Sequence, residues 1–434
     1  MSLSLIGILG ILILLAVLFF LGMPVGFAMA VVGFLGVCYV ISLKAALGML
    51  GTDIWRIFSS YGLTVIPLFI FMGEISFYSG VNERLYNTTY KWMGQIRGGI
   101  AMATVLACTG FSAICGSNTA TAATMSTVAL PEMKKYNYEP VLSTGSIACG
   151  STLGVVIPPS VVLIIIGLET GQSIARLFYG GVLPGIILAL LFMLTIYILC
   201  RLNPGWGPAG PKTTIKEKIF ALPGSIEMLI LFGLVMGGLY RGYFTPTEAG
   251  AAGSFFALLI SIVRRKLSWK GFINSVLDTL RISCMILIIV TGAVIFGRFL
   301  TVTRLPYEAA IWASSLPIPR YIILAIVLFI YIIGGAVMDA LALLLITIPV
   351  FFPMAIKLGY EPLWFGVIIT VITTMGAVTP PVGVNTYVVA GMAKDIPLEK
   401  VFKGVTFFLP SYIICVILLT IFPKIITYLP SFVK

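Results

Sequence analysis

Histidine is absent from the 434 residues, and charge is scarce, with Asp, Glu, Lys and Arg together making up 10% of the chain. Without histidine the commonest general base and metal ligand is missing, which weighs against an intramembrane hydrolase or redox enzyme. The seven cysteines (38, 108, 115, 149, 200, 284 and 415) lie in or beside apolar segments and form no C-x-x-C pair. They read as small core residues, and neither disulfides nor zinc are implied. Nor is there a polar stretch long enough for a soluble domain.

What the chain has instead is hydrocarbon: 59% of its residues are hydrophobic. Apolar runs of spanning length recur at 5–21, 25–42, 63–78, 183–200, 226–239, 251–263, 282–300 and 405–422, and such runs predict transmembrane helices. The composition describes an all-α polytopic membrane protein whose solvent is membrane lipid. A net charge of +12 could point to nucleic acid, but the basic residues are scattered over short loops. The positive-inside rule explains them better, and no nucleic-acid partner is expected. No basic residue precedes the first apolar run, so it reads as a retained helix and not a signal peptide.

The chain is internally repeated. Tyr138-Glu139-Pro140 recurs as Tyr360-Glu361-Pro362, an offset of 360 − 138 = 222 residues. The same ungapped offset carries Pro131 onto Pro353, Gly154 onto Gly376, and Pro158-Pro159 onto Pro380-Pro381. The halves are therefore expected to be structural repeats, 1–201 and 224–434, joined by a cytoplasmic linker at 202–223. The basic segments 201–218 and 264–270 are placed inside the cell, which puts the N-terminus outside and makes the repeats inverted. Segments 44–61 and 267–280 are too polar to span and read as interfacial arms. The six tryptophans (55, 92, 206, 269, 312 and 364) fall near segment ends, as an interfacial belt requires.

Within the first repeat, a polar run, Cys115 to Ser126 (CGSNTATAATMS), interrupts apolar sequence. Its flanking loops both look cytoplasmic, so about 98–132 is expected to be a re-entrant hairpin with its tip near Gly116-Ser117-Asn118. Irregular backbone at membrane depth is tolerated only where protein or a watery cavity covers it. The offset aligns Ser117 with Asp339, placing a second hairpin at about 318–356 that enters from the opposite side. An ionisable residue within the membrane is by default a functional candidate. After each hairpin comes a span broken by two prolines, about 140–170 and 362–392. Paired prolines remove two amide donors and free the preceding carbonyls. On this reading Ser117 and Asn118 hold a cation with carbonyls from 154–158, and Asp339 repeats the device with carbonyls around 335–338 and 376–379. A monovalent cation fits better than calcium or magnesium, which usually draw on more carboxylates. Helix N-termini at the breaks suit an anionic substrate.

At these residues the chain resembles the large membrane subunit of tripartite ATP-independent periplasmic (TRAP) transporters, the DctM-like family. The marks are IPLFIFMGEI (66–75), IRGGIAMATV (96–105), the Gly116-Ser117 tip, LPEMKKYNYEP (130–140), GVVIPPS (154–160), GAVMDA (335–340), LGYEPLWFGVI (358–368) and GAVTPPVGVN (376–385). The resemblance covers essentially the whole chain. It implies sodium-driven uptake of an organic anion (a carboxylate, sugar acid or sulfonate) across the bacterial or archaeal inner membrane by an elevator mechanism. It also implies two partners: a separate small four-helix membrane subunit, and a periplasmic binding protein that delivers the substrate. By the family's pattern the first sodium site maps to Ser112, Ser117, Asn118, Gly154, Ile157 and Pro158, and the second to Gly335, Met338, Asp339, Gly376 and Thr379. Substrate is placed near Asn118, Thr119, Ser160 and Asn385, and no catalytic residue is implied. The first tip departs from the family's frequent Ser-Gly-Ser-Ser: Ser117-Asn118-Thr119 is similar to the tip of divalent-anion:sodium symporters. A self-sufficient symporter of that kind is therefore the rival within the same class. The rival from another class is an intramembrane aspartyl enzyme using Asp339 with Glu74.

Overall fold

The structure, a computed structural model, describes residues 2–433. All regular structure among them is helical, and ten of the helices are long and apolar enough to cross a membrane. The first half runs α1 (Leu3–Leu21), α2 (Val25–Val40), α3 (Leu43–Phe58), α4 (Val65–Tyr78) and α5 (Val81–Met93). It continues through α6 (Gly99–Cys115), α7 (Asn118–Lys135), α8 (Pro140–Ser151), α9 (Leu153–Val156), α10 (Val161–Thr170) and α11 (Ile174–Leu202). The short α12 (Ile215–Ala221) leads into the second half. That half comprises α13 (Pro223–Tyr240), α14 (Pro246–Val263), α15 (Trp269–Val302), α16 (Leu305–Ser315), α17 (Arg320–Val337) and α18 (Ala340–Lys357). It ends with α19 (Pro362–Gly376), α20 (Val384–Met392), α21 (Leu398–Thr406), α22 (Leu409–Ile421) and α23 (Lys424–Thr427).

The repeat offset is visible in the helix ends. α6 stops at Cys115 and α17 at Val337, while α7 begins at Asn118 and α18 at Ala340. Likewise α8 and α19 begin at Pro140 and Pro362, where proline's fixed φ suits a first helical position. The halves part company in one place. Ser59-Ser60-Tyr61-Gly62 separates α3 from α4, whereas its counterpart Arg281-Ile282-Ser283-Cys284 lies inside the 34-residue α15. The second polar arm expected at 267–280 is thus no separate element.

Two compact units divide the chain, and each draws segments from both halves. One comprises Met1–Thr64, Leu280–Ile330 and Leu341–Phe365. Here glycines let α1 and α2 press onto α15. A methyl on Gly10 or Gly36 would come within 2.2 or 2.4 Å of the Phe299 ring, and one on Gly292 within 2.0 Å of the Gly26 carbonyl oxygen. Small residues allow such close approach in membranes, where packing replaces the hydrophobic drive. Amphipathic α3 is tied to α15 by Asp53, which is buried and accepts from Arg298 Nη2 and Nε at 3.2 and 3.3 Å. Arg298 therefore has a structural partner far away in the chain.

The other unit comprises Val65–Thr279, Tyr331–Ala340 and Gly366–Lys434. Its helix α13 carries buried Glu227, which bridges Arg84 of α5 at 2.6 Å and Arg264 beyond α14 at 2.8 Å. The linker after α11 is stitched to the base of α6 and α8 by three backbone bonds: Gly98 N–H to Gly207 O, Gly210 N–H to Gly94 O, and Glu139 N–H to Trp206 O. Of the tryptophans expected in a belt, Trp55, Trp92, Trp269 and Trp312 are exposed, but Trp364 is buried.

Candidate functional site: two hairpin tips on two broken helices

The first tip is built by alternating caps. Gly116 ends α6 at φ +63°, a conformation that excludes a side chain at little cost only for glycine. Ser117 then turns extended and caps α7, its Oγ accepting the Ala120 N–H. The tip rests directly on the broken helix. A methyl on Gly116 would lie 2.7 Å from the Pro159 carbonyl oxygen, and one on Gly154 would lie 2.7 Å from the Ser117 carbonyl oxygen.

The break itself follows from proline chemistry. Pro158 and Pro159 bring no N–H to the carbonyls four residues back, those of Gly154 and Val155. Ser160 Oγ donates to the Val155 carbonyl and accepts the Leu163 N–H, so this hydroxyl is committed to capping α10. The Gly154 carbonyl is left without its helical N–H partner. Ile157 is extended and its side chain fills the notch at Gly185 of α11. One turn before the tip, Ser112 is fully buried with its Oγ unpartnered. A buried, unpartnered hydroxyl one turn before the tip and a carbonyl freed by proline in the glycine that packs on the tip are the kinds of oxygen that a small cation takes as ligands. Asn118 behaves differently: its Oδ1 accepts the Thr119 N–H at 2.9 Å, leaving Nδ2 buried without a partner. Nitrogen of an amide donates, so that atom suits an acceptor and not a cation. Thr119 Oγ1 shares a 3.2 Å hydrogen bond with Ser117 Oγ.

The second tip, Met338-Asp339, rests on its own broken helix through glycine. Gly335 and Gly376 meet backbone to backbone, with a methyl on Gly376 falling 2.7 Å from the Gly335 Cα. Ala336 O accepts both the Val382 and Gly383 N–H groups at 3.0 Å, fastening the hairpin to the far side of the break. Carbonyls around this break are partly engaged: Gly376 O accepts the Thr379 N–H, Ala377 O the Asn385 N–H, and Val378 O the Thr386 hydroxyl. Thr379 Oγ1 donates to Met375 O and keeps its lone pairs free to accept. Both Pro-Pro bonds, Pro158-Pro159 and Pro380-Pro381, are cis. The first break is buried and the second opens to the surface.

The repeats meet within this unit through Asn385, expected near substrate, and through Ser151, Thr152 and Tyr412, which the sequence does not single out. Asn385 Nδ2 donates to Ser151 Oγ at 3.0 Å, and Thr152 Oγ1 shares a 2.6 Å hydrogen bond with Tyr412 OH. A signal was available: Ser143, Thr144, Ser146, Ser151 and Thr152 crowd one otherwise apolar segment, all buried. Glu74 sits on α4 beside the first tip, where its neighbour Gly73 packs on Cys115. At the foot of the first hairpin a cavity of about 490 Å³ lies between the ends of α7 and α20 and the start of α8. Lys134 and Asp395 pair at its edge, and the Lys134 hydrogen bond holds the Asp395 carboxyl below the usual aspartate range.

Comparison with known proteins gives the family and the fold. Residues 12–425 match the family described as tripartite ATP-independent periplasmic transporter, DctM component. The C4-dicarboxylate TRAP transporter large permease protein DctM of Pseudomonas aeruginosa is 32% identical, over 86% of this chain and 86% of that protein. The isethionate TRAP transporter permease protein DctMQ of Oleidesulfovibrio alaskensis is 33% identical over 86% of this chain and 57% of its own length. The sialic acid TRAP transporter large permease protein SiaM of Vibrio cholerae is 29% identical over 95% and 96%. Among solved structures, the YdaH transporter of Alcanivorax borkumensis shares the fold, with a TM-score of 0.61 at 12% identity over 88% of this chain and 89% of that one. These relatives are permeases, which removes the aspartyl-enzyme reading of Asp339 and Glu74. The chain belongs to the DctM family, the large membrane permeases of TRAP transporters.

Proposed function

We propose that this permease imports an organic anion across the inner membrane with sodium as the coupling ion. It works with a small four-helix membrane subunit and a periplasmic binding protein. The observation that carries the reading is the pairing of each hairpin tip with a proline-broken helix inside one compact unit. Such sites supply oxygens to a cation and helix N-termini to an anion. Ser112, Ser117, Asn118, Gly154, Ile157 and Pro158 surround the first cation site. Gly335, Met338, Asp339, Gly376 and Thr379 surround the second. Asn118, Thr119, Ser160 and Asn385 lie where substrate is held, with Ser160 acting through its cap on α10. The Asn118 carboxamide meets the anion, and the oxygens of Ser112 and Gly154 meet the cation. Relatives named for C4-dicarboxylate, isethionate and sialic acid transport share an anionic cargo. The hairpins and broken helices form the moving domain of an elevator, and the remaining helices its scaffold.

The test is the protein's thermal stability in sodium chloride and in choline chloride at equal ionic strength, for wild type and Asp339→Ala. A ligand that binds only the folded state stabilises by mass action, about 2.7 kcal/mol at one hundred times Kd. A sodium-specific rise that shrinks in the variant supports the reading. Equal stability in the two salts removes sodium as the driver. Uptake by this chain alone, without a binding protein, would favour the self-sufficient symporter, the mechanism that the Ser117-Asn118-Thr119 tip keeps open.

A further inference from the structure

Asn118 and Asn385 each leave one amide atom buried and unpartnered, and the two atoms are opposite in character. Asn118 spends its Oδ1 on the Thr119 N–H and offers Nδ2, a donor. Asn385 spends its Nδ2 on Ser151 and offers Oδ1, an acceptor. The second orientation is enforced. Ser151 Oγ has a single proton, which goes to the Ala148 carbonyl at 2.9 Å, so only lone pairs face Asn385. A hydroxyl that can only accept must be met by the amide nitrogen, which turns the carbonyl oxygen away from Ser151.

Buried orphans of this kind cost about 1–3 kcal/mol each, and native structures tolerate them where a partner arrives from outside. Both residues flank one stretch of the first broken helix. The backbone nitrogen of Asn118 is 3.2 Å from where a methyl on Gly154 would sit, and Ser151, the partner of the Asn385 amide, precedes Gly154 by three residues, about 4.5 Å of helical rise. Asn118 also opens the 18-residue α7, where the positive end of the dipole favours an anion. Asn385 is fully buried and uncharged.

We infer that the cargo is a hydroxy-substituted organic acid, its carboxylate received by Asn118 Nδ2 at the start of α7 and its hydroxyl donating to Asn385 Oδ1. This rests on the reading of the tips as the transport site. An unsubstituted carboxylic acid is ionised at neutral pH and has only lone pairs to set against Asn385 Oδ1. Sites built to bond a substrate hydroxyl reject the analogue lacking it by up to about 10⁴–10⁵-fold. Ser151 is the positioning residue that sets the polarity of the Asn385 amide.

The experiment measures binding to the purified permease with its membrane partner, in saturating sodium chloride, for three matched pairs: malate and succinate, glycerate and propionate, gluconate and hexanoate. Wild type is expected to prefer the hydroxylated member of at least one pair by about tenfold or more. Asn385→Leu should bring that ratio toward one. Ser151→Ala frees the amide to turn and should narrow the ratio, and Ser151→Thr, which keeps the hydroxyl, should restore it. A ratio near one in every pair, or no binding of any hydroxylated member, overturns the inference. So does a ratio that survives both Asn385→Leu and Ser151→Ala. Loss of the sodium response in Asn385→Leu, with the ratio intact in Ser151→Ala, would make Oδ1 a cation ligand and overturn it equally. The sodium-versus-choline difference in the same samples separates the two failures. A wild type without sodium response sinks the transport-site reading, whereas a sodium response with no hydroxyl preference sinks this inference alone.

Discussion

The carbonyl oxygen of Ser117 lies where a side chain on Gly154 would have to go: a methyl there would be 2.7 Å from it and 2.9 Å from the carbonyl carbon. Both neighbours are backbone, so neither can rotate away. Gly154→Ala should therefore push the first tip off the broken helix or destabilise the protein by about 1–3 kcal/mol. Gly376→Ala, facing Gly335 and the Ile332 carbonyl at 2.7 Å, should behave alike at the second tip. Gly233→Ala on α13, with open space around its Cβ, is the control and should be neutral or slightly stabilising. Thermal unfolding and sodium response of the three variants check this.

Ser112 should show opposite effects in two salts. Its buried hydroxyl has no protein partner, so removing it in Ser112→Ala relieves a desolvation cost of roughly 1 kcal/mol in choline chloride. If Ser112 is a cation ligand, as proposed, the same change in sodium chloride removes one. The variant should be as stable as wild type or more so without sodium, and less responsive to it. Equal sodium responses would take Ser112 out of the site.

Glu227 holds two arginines from separate helices. Glu227→Ala leaves both without a counter-charge. Breaking a fully buried pair costs about 3–5 kcal/mol, and the partial exposure of Arg84 and Arg264 lowers the expected loss to about 2–3 kcal/mol. Glu227→Gln, which keeps the shape, should lose less. Denaturant or thermal unfolding measures both; a neutral Glu227→Ala would show that the arginines find water instead.

The Lys134–Asp395 pair should make a pH-dependent contribution of known sign. The folded Asp395 carboxyl titrates below its ordinary value because Lys134 donates to it. Its stabilisation is therefore complete above the ordinary aspartate value and is lost as pH falls through the lower folded value. The stability difference between wild type and Lys134→Met should be flat from about pH 5 upward and shrink below about pH 4. A difference that grows on acidification would contradict the pairing.

Much of this permease is determined by its sequence alone. Hydrocarbon runs of spanning length dictate a membrane fold because backbone polar groups in lipid must bond within their own helix. Paired prolines dictate the breaks because they lack N–H groups, and they recur at one offset because the halves are repeated. The tips at Ser117 and Asp339 are legible for the same local reasons. What only the tertiary structure decided concerns partners far apart in the chain. Nothing local in the sequence joins Arg298 to Asp53, 245 positions away, and packing brings them together. The sequence reads 267–280 as a detached arm, and the structure runs nearly all of that segment into the start of α15, with Gly271 inside the helix. Ser160 is committed to the Val155 carbonyl, and Asn385 takes its polarity from Ser151, which lies 234 positions away. Hydrogen-bond direction depends on which neighbour has already used its proton, and that is settled only when the helices come together.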